Sequence, residues 1–442
     1  MKYYSTNGNA PIADLQKAVV KGLAEDRGLY MPEEIKLLPK IFFDNIHEMS
    51  FQQIAYNVAS AFFGEDVDLD ALQDIVYDTL SFDCPIKKVK DNIYALELFH
   101  GPTLAFKDVG ARFMARLLRY FTSQTSSTSL VNVLVATSGD TGSAVANGFL
   151  GVDGIHVYVL YPKGKVSPIQ ECQFTTLGQN ITAIEVDGVF DDCQALVKSA
   201  FMDKELNQHM KLTSANSINV ARFLPQAFYY FNAYARLMEK MNEASVVMCV
   251  PSGNFGNICS ALFGHAMGLP IKRFIASNNA NDVFYNYLQT GQYKPKASIQ
   301  TLANAMDVGD PSNFARIINL YSQNNKLTDK ATHHRITNLI SGATYNDDQI
   351  RETMRQCYEE TGYILDPHGA CGYQALVDGL QEGEIGVFCE TAHPAKFKEK
   401  VDDILGIDVE IPERLAAFMR GEKQSVLMSK DFEDFKQYLM SV

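Results

Sequence analysis

Lys107 follows Leu104, Ala105 and Phe106 in the segment His100-Gly101-Pro102-Thr103-Leu104-Ala105-Phe106-Lys107-Asp108. Apolar neighbours desolvate an amine and lower its pKa, as a Schiff-base lysine requires. A lysine in a solvated loop has the same local pattern. A second segment, Pro251-Ser252-Gly253-Asn254-Phe255-Gly256-Asn257, follows an apolar strand and opens a helix expected to run to about residue 268. Gly253 and Gly256 allow the backbone close to a ligand, and Asn254 and Asn257 tolerate unusual backbone angles. Successive N–H groups at a helix start bind an anion without any cationic side chain. A tight strand-to-helix turn with no ligand accounts for the same residues. The loop is neither a Walker loop nor Gly-x-Gly-x-x-Gly.

Two further segments offer hydroxyls and amides. Thr137-Ser138-Gly139-Asp140-Thr141-Gly142-Ser143 lies between a buried strand and a helix, and suits a carboxylate or phosphate. A plain helix cap explains it as well. The segment 213–222 carries Asn216, Ser217 and Asn219 ahead of Arg222. An arginine fork grips an oxyanion, although a surface arginine at a helix start fits the spacing equally. Glu390-Thr391-Ala392-His393-Pro394 places Thr391 just after an expected strand over 385–389. His368, in Asp366-Pro367-His368-Gly369, and His393 read as structural or site-adjacent residues rather than metal ligands.

These loops need rigid elements behind them. Continuous apolar runs over 130–136, 155–160, 181–186, 245–250 and 385–389 read as strands buried on both faces. Helical stretches alternate with them at 143–149 and 191–201, and Ser167-Pro168 forms an N-cap and first-turn pair for another. Alternation of this kind implies an α/β fold with a parallel sheet, whose ligands sit in loops at the strand carboxyl ends. Residues before about 96 read as mostly helical, over 13–23, 51–63 and 69–80. The expected organisation is an N-terminal accessory region 1–95, a first core domain 96–240, a second 241–410, and a helical tail 411–442. A Ser/Thr run over 122–129 reads as a loop.

Taken in order, His-Gly-Pro-Thr-x-x-Phe-Lys-Asp, Thr-Ser-Gly-Asp-Thr-Gly-Ser, Asn-Ser-Ile-Asn, Pro-Ser-Gly-Asn-Phe-Gly-Asn and Thr-Ala-His-Pro-Ala-Lys-Phe resemble the threonine synthase family. So do the N-terminal Tyr-x-Ser-Thr and the segment Met306 to Phe314. The resemblance covers nearly the whole chain and implies the two-domain core of the fold type II pyridoxal-phosphate enzymes. It implies pyridoxal 5′-phosphate as cofactor, O-phospho-L-homoserine and water as substrates, and L-threonine and phosphate as products. By that resemblance Lys107 is the catalytic lysine carrying the cofactor. Gly253, Asn254, Phe255, Gly256 and Asn257 hold the cofactor phosphate, and Thr391 faces the pyridine nitrogen. Asp140 stands where many relatives have asparagine near the cofactor. Ser138, Thr141, Asn216, Ser217 and Arg222 match residues that hold the substrate's carboxylate or phosphate. A related lyase or dehydratase giving 2-oxobutyrate would share Lys107 and the glycine loop. A non-catalytic phosphate-sensing module would need no Lys107.

Composition narrows the setting. The 442 residues are 46% hydrophobic and 21% charged, with net charge −13. An acidic surface repels nucleic acid and anionic lipid, so neither is an expected partner. No apolar run approaches the roughly 20 residues of a membrane span, and the first fourteen residues lack an apolar signal core. The eight scattered cysteines form no Cys-x-x-Cys pair, and the histidines show no zinc-binding spacing. A cytoplasmic monomer or homodimer without metal is expected.

Overall fold

The computed structural model describes residues 1–124, 130–241 and 243–442. The strand Val131–Ala136 is buried at all six positions, as a strand covered on both faces must be. It belongs to a five-stranded parallel sheet ordered Val426–Met428, Ile181–Val186, Ile155–Pro162, Val131–Ala136, Lys211–Ser214. A six-stranded sheet is ordered Ile340–Thr344, Arg273–Asn278, Ser245–Pro251, Glu384–Glu390, Ile93–Glu97, Ile86–Lys90. It is parallel apart from its last strand, which pairs antiparallel with Ile93–Glu97. Helices cover both sheets, so the fold is α/β with parallel sheets.

Several elements differ from the sequence reading for local reasons. The edge expected at 95/96 runs through the strand Ile93–Glu97, and Ile86–Glu97 joins the sheet otherwise built from residues 245–390. The N-terminal region holds helices Leu15–Lys21, Phe51–Phe63 and Leu69–Thr79, but also a three-stranded antiparallel sheet of Ala13–Asp14, Lys2–Ser5 and Tyr30–Pro32. The helix expected over 13–23 is shorter because Asp14 caps it and Gly22 ends it with φ 72°. The tail contains helices Glu413–Met419 and Phe432–Ser441, with the strand Val426–Met428 between them. Of the expected Ser/Thr loop, Thr122 and Ser123 close the helix Lys107–Ser123, and residues 125–129 lie outside the described residues. Among the described residues no helix is long and apolar enough to cross a membrane.

The N-terminal region supports the core through polar anchors. Asn219 donates to the Val19 carbonyl at 2.9 Å and caps the short helix Val220–Phe223, which carries Arg222. Arg316 is fully buried and donates to the carbonyls of Tyr30, Ser217 and Ile218 and to Asn313 Oδ1, over the Phe223 ring at 4.1 Å. One guanidinium thus ties the N-terminal sheet, the 216–219 loop and the helix Phe314–Tyr321 together. Arg316→Met leaves these buried acceptors unpaired, each at a cost of about 1–3 kcal/mol. Urea unfolding is expected to show a loss of at least about 3 kcal/mol, and a loss below about 1 kcal/mol would contradict this role.

Candidate active site

Three adjacent strands of the six-stranded sheet end at one cavity. Ser245–Pro251 runs into Ser252–Asn257, Glu384–Glu390 runs into Thr391, and Ile93–Glu97 leads through nine residues to Lys107. The nine-residue excursion is stitched back to its neighbour. Phe106 N–H donates to the Thr391 carbonyl at 2.8 Å, and His393 N–H to the Leu104 carbonyl at 3.0 Å. Ala105 and Ala392 form an antiparallel bridge. Lys107 and Thr391 are therefore fixed relative to each other by backbone, before any side chain contributes.

The five-stranded sheet supplies the opposite wall. Val131–Ala136 ends at Ser138 and Thr141, and the neighbouring Lys211–Ser214 ends at Asn216 and Ser217. A cavity of about 960 Å³ between the sheets is lined by Lys107, Ser138, Thr141, Asn216, Ser217 and Arg222. Gly253, Asn254, Phe255, Gly256, Asn257 and Thr391 line it too. Twelve of the thirteen residues singled out in the sequence therefore meet in one space; Asp140 lies just behind the wall, 5% exposed.

The glycine loop has the build of an anion site. Phe255 takes a left-handed φ of 66° at the start of helix Gly256–Ala266 and contributes no side-chain cap. No backbone N–H from Gly253 to Asn257 has an acceptor among the described residues. A Cβ on Gly253 would lie 2.5 Å from the Ala305 carbonyl oxygen. The asparagine side chains serve the loop itself. Asn254 donates to Ser217 Oγ and accepts from Ser312 N–H. Asn257 donates to the Pro251 carbonyl at 2.7 Å. Any ligand there meets main-chain donors, as at other helix N-termini.

Charge on the other side is mostly cationic. Burial lowers Lys107 to about 8, against the raising effect of Asp140 and with help from Arg222 and Lys396. Its amine has no hydrogen bond or ion pair among the described residues and lies 5.5 Å from the Phe106 ring. Arg222 is 1% exposed, donates from Nη1 to the Ala215 carbonyl, and leaves Nε without a partner. The surface-arginine reading of this position is therefore overturned: burial lowers the guanidinium to about 10. Asp140 is driven up by burial, yet Lys396 and Lys107 outweigh that and hold it at about 2.

Lys396 is the residue that sequence reasoning passed over. It is fully buried, lines the cavity, and meets Asp140 Oδ1 at 2.6 Å. Its signal in the sequence is its place in Thr-Ala-His-Pro-Ala-Lys-Phe, five residues after Thr391 in the same loop. Gln170 also escaped notice, although its helix cap, Ser167, did not: Gln170 Nε2 donates to Asp140 at 2.9 Å. His368 lines the cavity and accepts from Ala305 N–H at 3.1 Å while pairing with Asp366 at 3.0 Å. His393 accepts from Ala395 N–H, and burial lowers it to about 4. Among the described residues no group of three His, Cys, Asp or Glu side chains is arranged to hold a metal ion.

Comparison with known proteins agrees with this geometry. Residues 76–387 match the family described as pyridoxal-phosphate dependent enzyme. Residues 2–80 match the threonine synthase N terminus, and 369–439 the threonine synthase C-terminal region. The chain is 42% identical to a threonine synthase of Serratia marcescens, with 100% of both chains covered. The crystal structure of threonine synthase from Escherichia coli is similar with TM-score 0.92 at 40% identity, covering 100% of both. A pyridoxal-phosphate-bound threonine synthase from Brucella melitensis gives TM-score 0.92 at 33% identity, covering 100% of this chain and 99% of that one.

Because the Gly253 Cβ position is filled by backbone, Gly253→Ala must displace the loop. Inorganic phosphate should then raise the melting temperature of this variant far less than that of wild type, corresponding to at least about tenfold weaker binding. An equal rise in both proteins would show that these N–H groups do not hold an anion.

Proposed function

The chain belongs to the threonine synthase family, and from that premise we propose that it converts O-phospho-L-homoserine and water into L-threonine and phosphate. Its cofactor is pyridoxal 5′-phosphate. When bound, that group supplies an electron sink for the negative charge developing at the substrate's Cα and Cβ. The residues present fit it: an unpaired amine with a lowered pKa, five main-chain donors without acceptors, and a hydroxyl at a strand end share one cavity.

What supports the phosphorylated substrate is that two sets of donors without acceptors line that cavity. One is the 253–257 backbone, assigned here to the cofactor phosphate. The other is Arg222, whose buried Nε lacks an acceptor, with the hydroxyls of Ser138 and Thr141 and the amide of Asn216 on the same wall. Donors fixed before charge develops stabilise a departing phosphate without reorganising. A dehydratase would need such donors for its substrate's carboxylate alone, and a phospho-lyase giving 2-oxobutyrate would share them; full-length kinship to threonine synthases favours threonine as the product. The same full-length kinship disfavours a non-catalytic module.

The remaining roles follow from position. Lys107 Nζ would hold the cofactor and, when free, would move protons at Cα and Cβ; burial that lowers its pKa to about 8 brings it close to balance near neutral pH. Ser138, Thr141 and Asn216 orient the substrate's anionic groups. Ser217 is held by Asn254 and Asn313, each at 3.2 Å, and links the substrate wall to the phosphate loop. Thr391, at the strand end in the cavity wall, would offer its hydroxyl to the cofactor ring, where a neutral group would temper charge build-up and side reactions more than a carboxylate would. Asp140 acts from behind the wall. The two sheets define the two core domains, with 86–97 assigned to the second. A monomer or homodimer in the cytoplasm is our reading, and the eight free cysteines fit a reducing setting.

Lys107→Ala should abolish the visible, borohydride-sensitive absorbance of the purified protein and all coupled release of phosphate and threonine. Retained threonine formation would refute the assignment of Lys107. Thr391→Asp should raise the ratio of 2-oxobutyrate to threonine by about tenfold; an unchanged product ratio would remove Thr391 from control of side reactions.

A further inference from the structure

Lys396 and Asp140 form a buried ion pair that no step above requires. Lys396 Nζ sits 2.6 Å from Asp140 Oδ1 and donates to the Thr103 carbonyl at 2.9 Å. Thr103 lies four residues before Lys107, on the stitched segment, and its N–H and hydroxyl both bind the Asp108 carboxylate, at 2.9 and 2.5 Å. Asp140 opens the helix Asp140–Phe149 and accepts from Gln170 Nε2 at 2.9 Å. The preceding Gly139 has φ 145°, and a Cβ there would meet Gln170 at 2.7 Å. Both partners are buried and each has a second hydrogen-bond partner holding it in place. Lone buried charges are costly, so a pair built this tightly beside a third ionisable group acts on that group.

We propose that the Lys396–Asp140 pair is an electrically neutral unit that sets the protonation of Lys107, with Lys396 as a positioning residue acting through Asp140. The inference rests on the reading of Lys107 as the cofactor-carrying lysine. Lys107 lines the same cavity as Arg222 and Lys396 and lies within electrostatic reach of both and of Asp140. The pair in turn faces Asp108 from the Lys107 helix, Cys172 from the helix Pro168–Thr175, and His393 from its own loop. Burial pushes the Cys172 thiol up to about 11 and lowers His393 to about 4, so both are neutral where Lys107 titrates. With Lys396 in place, the Asp140 carboxylate is compensated and does not hold a proton on Lys107. Without Lys396, a bare carboxylate stands beside the amine. Without the carboxylate, two like charges face each other.

The test is the pH dependence of the rate at which full-length, cofactor-free protein captures pyridoxal phosphate, since only the neutral amine attacks. Wild type should have a midpoint near about 8. Lys396→Met should raise the midpoint by about one unit or more, and Asp140→Asn should lower it by a similar amount. The double variant should return to within about half a unit of wild type, and Lys396→Arg should stay there. Midpoints that do not move, or that move the same way in both single variants, overturn the proposal while leaving Lys107's role intact. Absence of capture by wild type overturns both readings. If Lys396→Met does not fold, Asp140→Asn and the double variant still decide: the first must fall and the second must recover.

Discussion

Three basic side chains, Lys107, Arg222 and Lys396, line one cavity, and the buried carboxylate of Asp140 sits behind its wall against Lys396 and within electrostatic reach of Lys107. Desolvated like charges repel strongly, and a folded chain tolerates them only if the scaffold is rigid or an anion arrives. Here the scaffold is rigid. Backbone bonds join residues 104–106 to 391–393, Asn219 caps the four-residue helix of Arg222, and the N-terminal region braces that cap through Val19. Much of the molecule can be understood as the framework needed to hold positive charge where dianionic ligands will neutralise it.

This excess charge is local. The chain as a whole carries −13, and some of its acidic side chains lie in surface ion pairs such as those of Glu65, Glu360 and Glu205. Net charge governs encounters with large polyanions, over distances beyond a Debye length of about 8 Å at physiological salt. Binding inside a cavity is governed by donors within hydrogen-bond reach. The main-chain N–H groups of 253–257 contribute nothing to formal charge, and Arg222 contributes one unit. An acidic protein that takes phosphorylated ligands is therefore not a contradiction.

The sheets were legible because their strands are buried on both faces and so read as unbroken apolar runs; 181–186 matches its strand end to end. The site loops were legible because glycine, serine and asparagine cluster where strand gives way to helix. Strands with weaker apolar signals were not: in Lys211–Ser214 only Thr213 and Ser214 are buried, and Ile340–Thr344 is a half-exposed edge. The pairing of Ile93–Glu97 with Glu384–Glu390 joins residues nearly three hundred positions apart, which local pattern cannot reveal. Side-chain roles within the loops also lay beyond composition. Asn254 and Asn257 stand in the loop matched to cofactor-phosphate binding, and only the structure shows that their amides brace the loop itself.

Lys396 shows most sharply why a loop's sequence underdetermines its chemistry. In the chain it is a lysine on the short helical turn Pro394–Phe397, where solvent exposure is the usual outcome. What buries it is the bridge between Ala105 and Ala392, which draws the 391–397 turn against the 103–107 segment. What charges its surroundings is an aspartate from the other sheet, at the start of a different helix. Were residue 140 an amide, Lys396 would be a buried ammonium with only a carbonyl for company; were residue 396 apolar, Asp140 would be a buried carboxylate held by one glutamine. Each residue is tolerable only because of the other, and both lie within the electrostatic reach of Lys107. The identity of position 140 and that of position 396 are thus one physical choice, made across the cavity.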